Sequence, residues 1–126
     1  MKEIINTDKA PAAIGPYSQA TKAGGFLFLS GQMPLDPETM AFVPGCVACQ
    51  VEQVMKNTQH ILNSQGLDFC DVVKTTVFIK DMNDFGKVNE VYAKYFNENP
   101  PARSCVEVAR LPKDALVEME CIAVLK

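Results

Sequence analysis

Apolar positions recur with two distinct spacings along this chain. Val47, Val51, Val54, Met55, Thr58, Ile61 and Leu62 follow the three- and four-residue steps of one helix face. They predict a helix from Cys46 to Gln65, with Gly66 as its stop. Phe85, Val88, Tyr92, Tyr95 and Phe96 repeat the pattern and predict a second helix ending near Phe96, capped by Asn83 or Asp84. Elsewhere the period is two. In the run Arg103 to Ala109, Arg103, Cys105 and Glu107 point one way, and Ala102, Ser104, Val106 and Val108 point the other, which predicts a strand. Ala115 to Leu125 alternates likewise: Leu116, Glu118, Glu120, Ile122 and Val124 share one face, and Val117, Met119, Cys121, Ala123 and Leu125 the other. Val72 to Lys80 is rich in β-branched residues and predicts another strand. Ser18–Ala23 and Phe26–Ser30 flank Gly24-Gly25, a two-residue hairpin turn, and Ile4–Asn6 adds a short first strand. Ala10–Tyr17 is broken by Pro11, Gly15 and Pro16 and reads as a loop that delivers Tyr17.

The resulting order is β-β-β-α-β-α-β-β. It implies an α+β fold, a mixed β-sheet with two helices on one face and a hairpin at each end. Two helices cover one side of such a sheet, yet several strands are apolar on both sides. The other side must meet something, and a second copy of the chain is the economical partner.

Composition narrows the functional classes. The 126 residues suit one domain spanning 1–126. A net charge of −3 argues against a nucleic-acid module, which ordinarily carries a basic face. No apolar run reaches the ~18 residues of a membrane span, and Met1–Asn6 lacks the apolar region of a secretory signal. Five cysteines, an odd number, read as free thiols in a cytoplasmic protein.

The candidate chemistry concentrates between Pro100 and Pro112. That stretch holds both arginines of the chain, Arg103 and Arg110. An arginine early in a strand after Pro-Pro sits at a sheet's end, where its fork suits a carboxylate or phosphate. A surface salt bridge is the plainer alternative. Cys46-Val47-Ala48-Cys49 is a C-x-x-C, a spacing used by redox dithiols at helix starts and by half of a zinc site. With no second such pair and a single histidine, His60, buried or half-buried free thiols are the expectation. His60 reads as a solvated helix position, which leaves no histidine-activated nucleophile. Gly24-Gly25 lies between strands and lacks the lysine and helix of a phosphate loop.

Asn89 borders the second helix's apolar face, either as a polar edge residue or as an amide reaching a cleft. Tyr17 is either a packing aromatic or a ring lining a pocket. Glu118 and Glu120 share a strand face with Leu116, Ile122 and Val124, so at least one of them lies near apolar cover, paired or raised in pKa. Whether Glu120 meets Arg103 turns on register. If Ala109 sits opposite Ala115, Arg103 faces Cys121; shifted by one residue, it faces Glu120.

Pro101-Ala102-Arg103-Ser104-Cys105-Val106-Glu107-Val108-Ala109, followed by Glu118-Met119-Glu120, resembles the signature of the Rid (YjgF) family. Ala10–Tyr17, Ser30-Gly31-Gln32 and Val73–Phe78 resemble it too, so the likeness covers essentially the whole chain, nearest the reactive intermediate deaminase A branch. Phe96–Pro100 is shorter than in many relatives, which bears on the cleft rim and substrate range. The resemblance implies a chorismate-mutase-like fold and a homotrimer with clefts between subunits. It also implies hydrolysis of 2-iminopropanoate and 2-iminobutanoate, or their enamines, to 2-oxo acids and ammonia, without metal or cofactor. Under it, Arg103 would bind the substrate carboxylate with help from the Cys105 amide. The Gly31 carbonyl would hold the imine nitrogen and Glu120 would position water. Tyr17 and Asn89 would line the cleft. An imine is already electrophilic, so a held carboxylate and an aimed water suffice without a protein nucleophile. Two rival functions remain: a non-catalytic binder of small carboxylates, and a ribonuclease or translation inhibitor. The second is disfavoured by the acidic charge and the single histidine.

Overall fold

The computed structural model describes residues 1–126. Its elements are β1 (Glu3–Ile5), β2 (Ala20–Ala23), β3 (Phe26–Gln32), α1 (Val47–Ser64), β4 (Val72–Ile79), α2 (Phe85–Tyr95), β5 (Ala102–Glu107) and β6 (Val117–Val124), the order that periodicity predicts. The strands form one mixed sheet ordered β1-β2-β3-β6-β4-β5.

Local chemistry explains most of the boundaries. The β2–β3 hairpin turns through Gly24 and Gly25 at φ 58° and 85°, two successive left-handed residues that fit the strand twist. Helix α1 ends at the expected glycine: Gly66 takes φ 72°, its N–H donates to the Asn63 carbonyl, and the Leu67 N–H donates to that of Leu62. The capping of α2 differs from expectation. Asp84 takes the N-cap position but its side chain makes no cap hydrogen bond; Asp81 accepts from the Asn83 N–H at 2.9 Å and caps the single turn Met82–Asp84 that runs into α2.

The second hairpin does not form. Strand β4 lies between β5 and β6, pairing parallel with β5 and antiparallel with β6. The cause is the crossover: β4-α2-β5 brings the chain back in the same direction onto one edge of β4. The turn Pro112–Asp114 then carries the chain to the other edge. Thr75 is therefore level with both Arg103 and Cys121, and Thr76 with both Ser104 and Glu120.

That register sorts the two faces. Leu27, Leu29, Thr75, Val77, Ile79, Met119 and Cys121 are buried toward the helices, against Val51, Val54, Met55, Ile61 and Leu62 of α1 and Val88, Val91 and Tyr92 of α2. On the other face no helix lies. Phe26, Phe28, Val106 and Val124 remain 39–42% exposed there, the apolar surface the alternation implied. Two buried amides on α1 tie distant loops to the core: Asn57 donates to the carbonyls of Met33 and Leu35, and Gln50 accepts from the Leu116 N–H.

Candidate functional site

Arg103 emerges from the edge strand β5 on the helix face. Its guanidinium lies over the rings of Tyr92 and Phe85, 4.7 and 5.4 Å from their centroids, and one nitrogen donates to Asn89 Oδ1 at 2.8 Å. Below it the Tyr92 hydroxyl and Thr75 share a buried 2.8 Å hydrogen bond, and burial raises the Tyr92 pKa. The two rings and the amide hold the fork without neutralising it, because Arg103 forms no ion pair within the chain. Four of its five N–H donors remain for a ligand. The Val108 N–H bonds the Ile79 carbonyl, and backbone direction alternates along a strand. The Cys105 N–H therefore points off the free edge of the sheet, on the same strand as Arg103. The Cys105 thiol is half-buried and raised in pKa by that burial.

A cleft of about 530 Å³ opens elsewhere, among Tyr17, Ser30, Gly31, Gln32, Lys113 and Glu118. A β-bulge makes its floor: Leu29 pairs with Cys121 and Gln32 with Met119, so Ser30 and Gly31 together oppose Glu120. The bulge is braced from three sides. Ser30 Oγ donates to the Ser18 carbonyl at 2.6 Å, the Ser30 N–H to the Gln19 carbonyl at 2.9 Å, and the Gln32 amide to the Ser30 carbonyl at 3.1 Å. Gln19 is buried and clamps the preceding loop, accepting from the Thr7 N–H and donating to the carbonyls of Thr7 and Pro11. This clamp holds Tyr17, itself 54% exposed, at the cleft wall.

Glu118 is the acid of this cleft. Its carboxylate lies directly on Gly31, where a Cβ would stand 2.0 Å from Oε1, so any side chain at position 31 would push the carboxylate from this place. Burial pushes the Glu118 pKa above the ordinary carboxylate value, and the Glu120 charge adds to the shift. Lys113 enters at the rim through a strained turn, with Lys113 and Asp114 both at positive φ and Asp114 held by Arg110 at 2.8 Å. The chain brings no group of three metal-ligating side chains together.

The expected site residues thus fall into two groups. Arg103, Asn89 and Cys105 stand together at the β5 edge; Tyr17 and Gly31 stand together in the cleft. Glu120 joins neither: it is exposed on the open face, level with Thr76 and Ser104, whereas Arg103 is on the helix face. The register that would set Glu120 opposite Arg103 is not adopted, because β4 intervenes. Gln19 and Lys113 had no distinguishing sequence signal. Glu118 had one, its place on the apolar face, but it was not separable there from Glu120. His60 is exposed on α1 as expected, whereas Cys46 and Cys49 are exposed rather than buried.

Comparison with known proteins gives concordant results. The family described as Endoribonuclease L-PSP matches residues 7–125. The chain is 55% identical to the chloroplastic Reactive Intermediate Deaminase A of Arabidopsis thaliana, over 98% of this chain and 66% of that protein. It is 51% identical to the 2-iminobutanoate/2-iminopropanoate deaminase of Mus musculus, over 98% and 92% of the two chains. The fold matches E. coli TdcF, solved with bound serine, with a TM-score of 0.93 and 46% identity, covering 98% of this chain and 99% of that one.

Proposed function

The chain belongs to the Rid (YjgF, L-PSP) family, and from that premise we propose that it hydrolyses 2-imino acids and their enamine tautomers. The substrates are 2-iminopropanoate and 2-iminobutanoate, and the products are the 2-oxo acids and ammonia. The observation that carries this reading is a pair of complementary groups. One is an unneutralised guanidinium held over two rings; the other is a half-buried carboxyl of raised pKa in a glycine-floored cleft.

The two groups stand apart within one chain, and the open apolar face calls for further copies. The active unit is accordingly an oligomer, which the family resemblance makes a homotrimer, in which the β5 edge of one subunit closes the cleft of the next. Arg103, aided by the Cys105 N–H, holds the substrate carboxylate with charge-assisted bonds. Asn89 fixes the guanidinium, Tyr17 flanks the substrate, and the Gly31 carbonyl accepts a hydrogen bond from the imine nitrogen. Glu118 takes the water-positioning role expected of Glu120. It accepts a proton from water as the oxygen attacks the imine carbon and passes it to nitrogen, giving the carbinolamine. It then takes the carbinolamine hydroxyl proton and delivers it to the amino nitrogen as the C=O bond forms, the carbon–nitrogen bond breaks and ammonia leaves. The raised pKa makes Glu118 a stronger base and brings it nearer neutral pH. No cofactor enters this balance. Cytoplasmic working conditions fit the five free thiols, and no helix is long and apolar enough to cross a membrane.

The test is ammonia release from freshly generated 2-iminopropanoate by purified protein, against the buffer rate. Accelerated release supports hydrolysis. Binding of 2-oxo acid with no acceleration would instead leave a carboxylate-binding protein.

A further inference from the structure

Cys46 and Cys49 lie at the start of helix α1, outside the cleft lining, and nothing in the reaction uses them. Both are exposed. Cys46 is the N-cap of the 18-residue helix α1, with extended backbone at φ −86° and ψ −176°, and Cys49 is the helix's third residue. Helix geometry sets positions three apart at a Cα spacing of about 5 Å, inside the span of roughly 4.4–6.8 Å that a disulfide bridges. The Cys49 sulfur turns back toward the chain entering the helix: a Cβ on Gly45 would stand 2.8 Å from it. Gly45, at φ 113°, keeps that space clear.

The first-turn amides of a helix have no partner within it. The N–H groups of Cys49 and Ala48 turn toward the Cys46 sulfur, joined by the Cys49 thiol, and lower the Cys46 pKa from its ordinary value. They do so without forming a full side-chain cap bond. A thiolate is the attacking species in disulfide exchange. Cys105 and Cys121 are less suited: burial raises the pKa of Cys105 and pushes that of Cys121 up to about 12.

We propose that Cys46 and Cys49 form a reversible dithiol–disulfide site, with Cys46 as the attacking thiol and low-molecular-weight disulfides as the oxidant. The Cys46 thiolate attacks one sulfur of R–S–S–R. A Cys46–S–S–R bond forms, and the released RS⁻ takes up a proton. Cys49 then gives its proton to solvent and attacks the Cys46 sulfur, so that the internal disulfide forms and a second RS⁻ leaves. Two protein thiols are oxidised and one small disulfide is reduced to two thiols. A small dithiol reverses both steps.

The experiment uses the full chain carrying Cys70→Ser, which removes the other exposed thiol. The reduced protein is incubated with oxidised glutathione and followed by intact mass and peptide mapping. The expected product has lost the mass of two hydrogens and yields a Cys46–Cys49 cross-linked peptide, cleared by dithiothreitol. Adding Cys49→Ser stops the reaction at one glutathione on Cys46. Adding Cys46→Ser slows modification of this segment about tenfold or more, since Cys49 lacks the N-cap environment. A stable glutathione adduct on the parent with no internal link overturns the proposal. So does a Cys46→Ser variant that reacts at Cys49 as fast as the parent reacts at Cys46.

Discussion

Glu118→Gln separates the role of this carboxyl from its packing. The amide keeps the shape of the side chain, and it still fits against Gly31. It is a far weaker base. Losing general-base help lowers kcat by about 10²–10⁴-fold, equivalent to about 2.7–5.4 kcal/mol of barrier at 1.36 kcal/mol per tenfold. Affinity for a stable 2-oxo acid, held by Arg103, should change little, so the loss appears in kcat. The wild-type rate should rise with pH as Glu118 ionises, with the rising limb above the ordinary carboxylate range because burial raises this pKa. Stability moves the opposite way. The folded state holds the Glu118 proton more tightly than the unfolded chain, so stability falls as pH rises from the ordinary glutamate value through the raised one. Above that window Glu118→Gln should melt higher than wild type, and below it the two should coincide. A variant that melts higher at neutral pH yet has lost turnover cannot be explained by misfolding. Wild-type kcat in Glu118→Gln would refute the assignment, as would an equal loss in Glu120→Gln, since Glu120 lies on the exposed face outside the cleft.

Three further outcomes follow from the geometry. Arg103→Ala should abolish imine hydrolysis and weaken 2-oxo acid binding by about 1.5–3 kcal/mol. Arg103→Lys should restore little, for want of the planar fork; calorimetric titration checks the binding and ammonia release the turnover. Gly31→Ala should displace the Glu118 carboxylate, whose Oε1 would meet the new Cβ at 2.0 Å. Activity should then fall tenfold or more (about 1.4 kcal/mol) and the rising limb of the pH profile should shift. Phe28→Asp places a charge on the open sheet face, where Phe28 is 41% exposed. Light scattering should then show a folded monomer in place of a trimer, and wild type at monomer mass would remove the inter-subunit site.

Local signals in the sequence (apolar periodicity, β-branched content and turn glycines) determined the eight elements, the two helix faces and the second apolar face of the sheet. These depend on local spacing: 3.6 residues per helical turn and two per strand set which side chains share a side, whatever their eventual neighbours. Gly24, Gly25 and Gly66 were legible for the same reason, since each answers a backbone demand made within a few residues. Arg103 stood out by its rarity and its place after Pro100 and Pro101, and the motif around it carried the family resemblance. What spacing could not decide was which strands become neighbours. Strands β5 and β6 are consecutive in sequence and read as a hairpin, but the crossover through α2 set β4 between them. That insertion put Arg103 level with Cys121 on the helix face and left Glu120 on the other. The choice between Glu118 and Glu120 was out of reach for a related reason. Both have the same parity and share the same face. Only the bulge at Ser30 and Gly31, and the absence of a Cβ at position 31, lay one of them in the cleft and left the other in solvent.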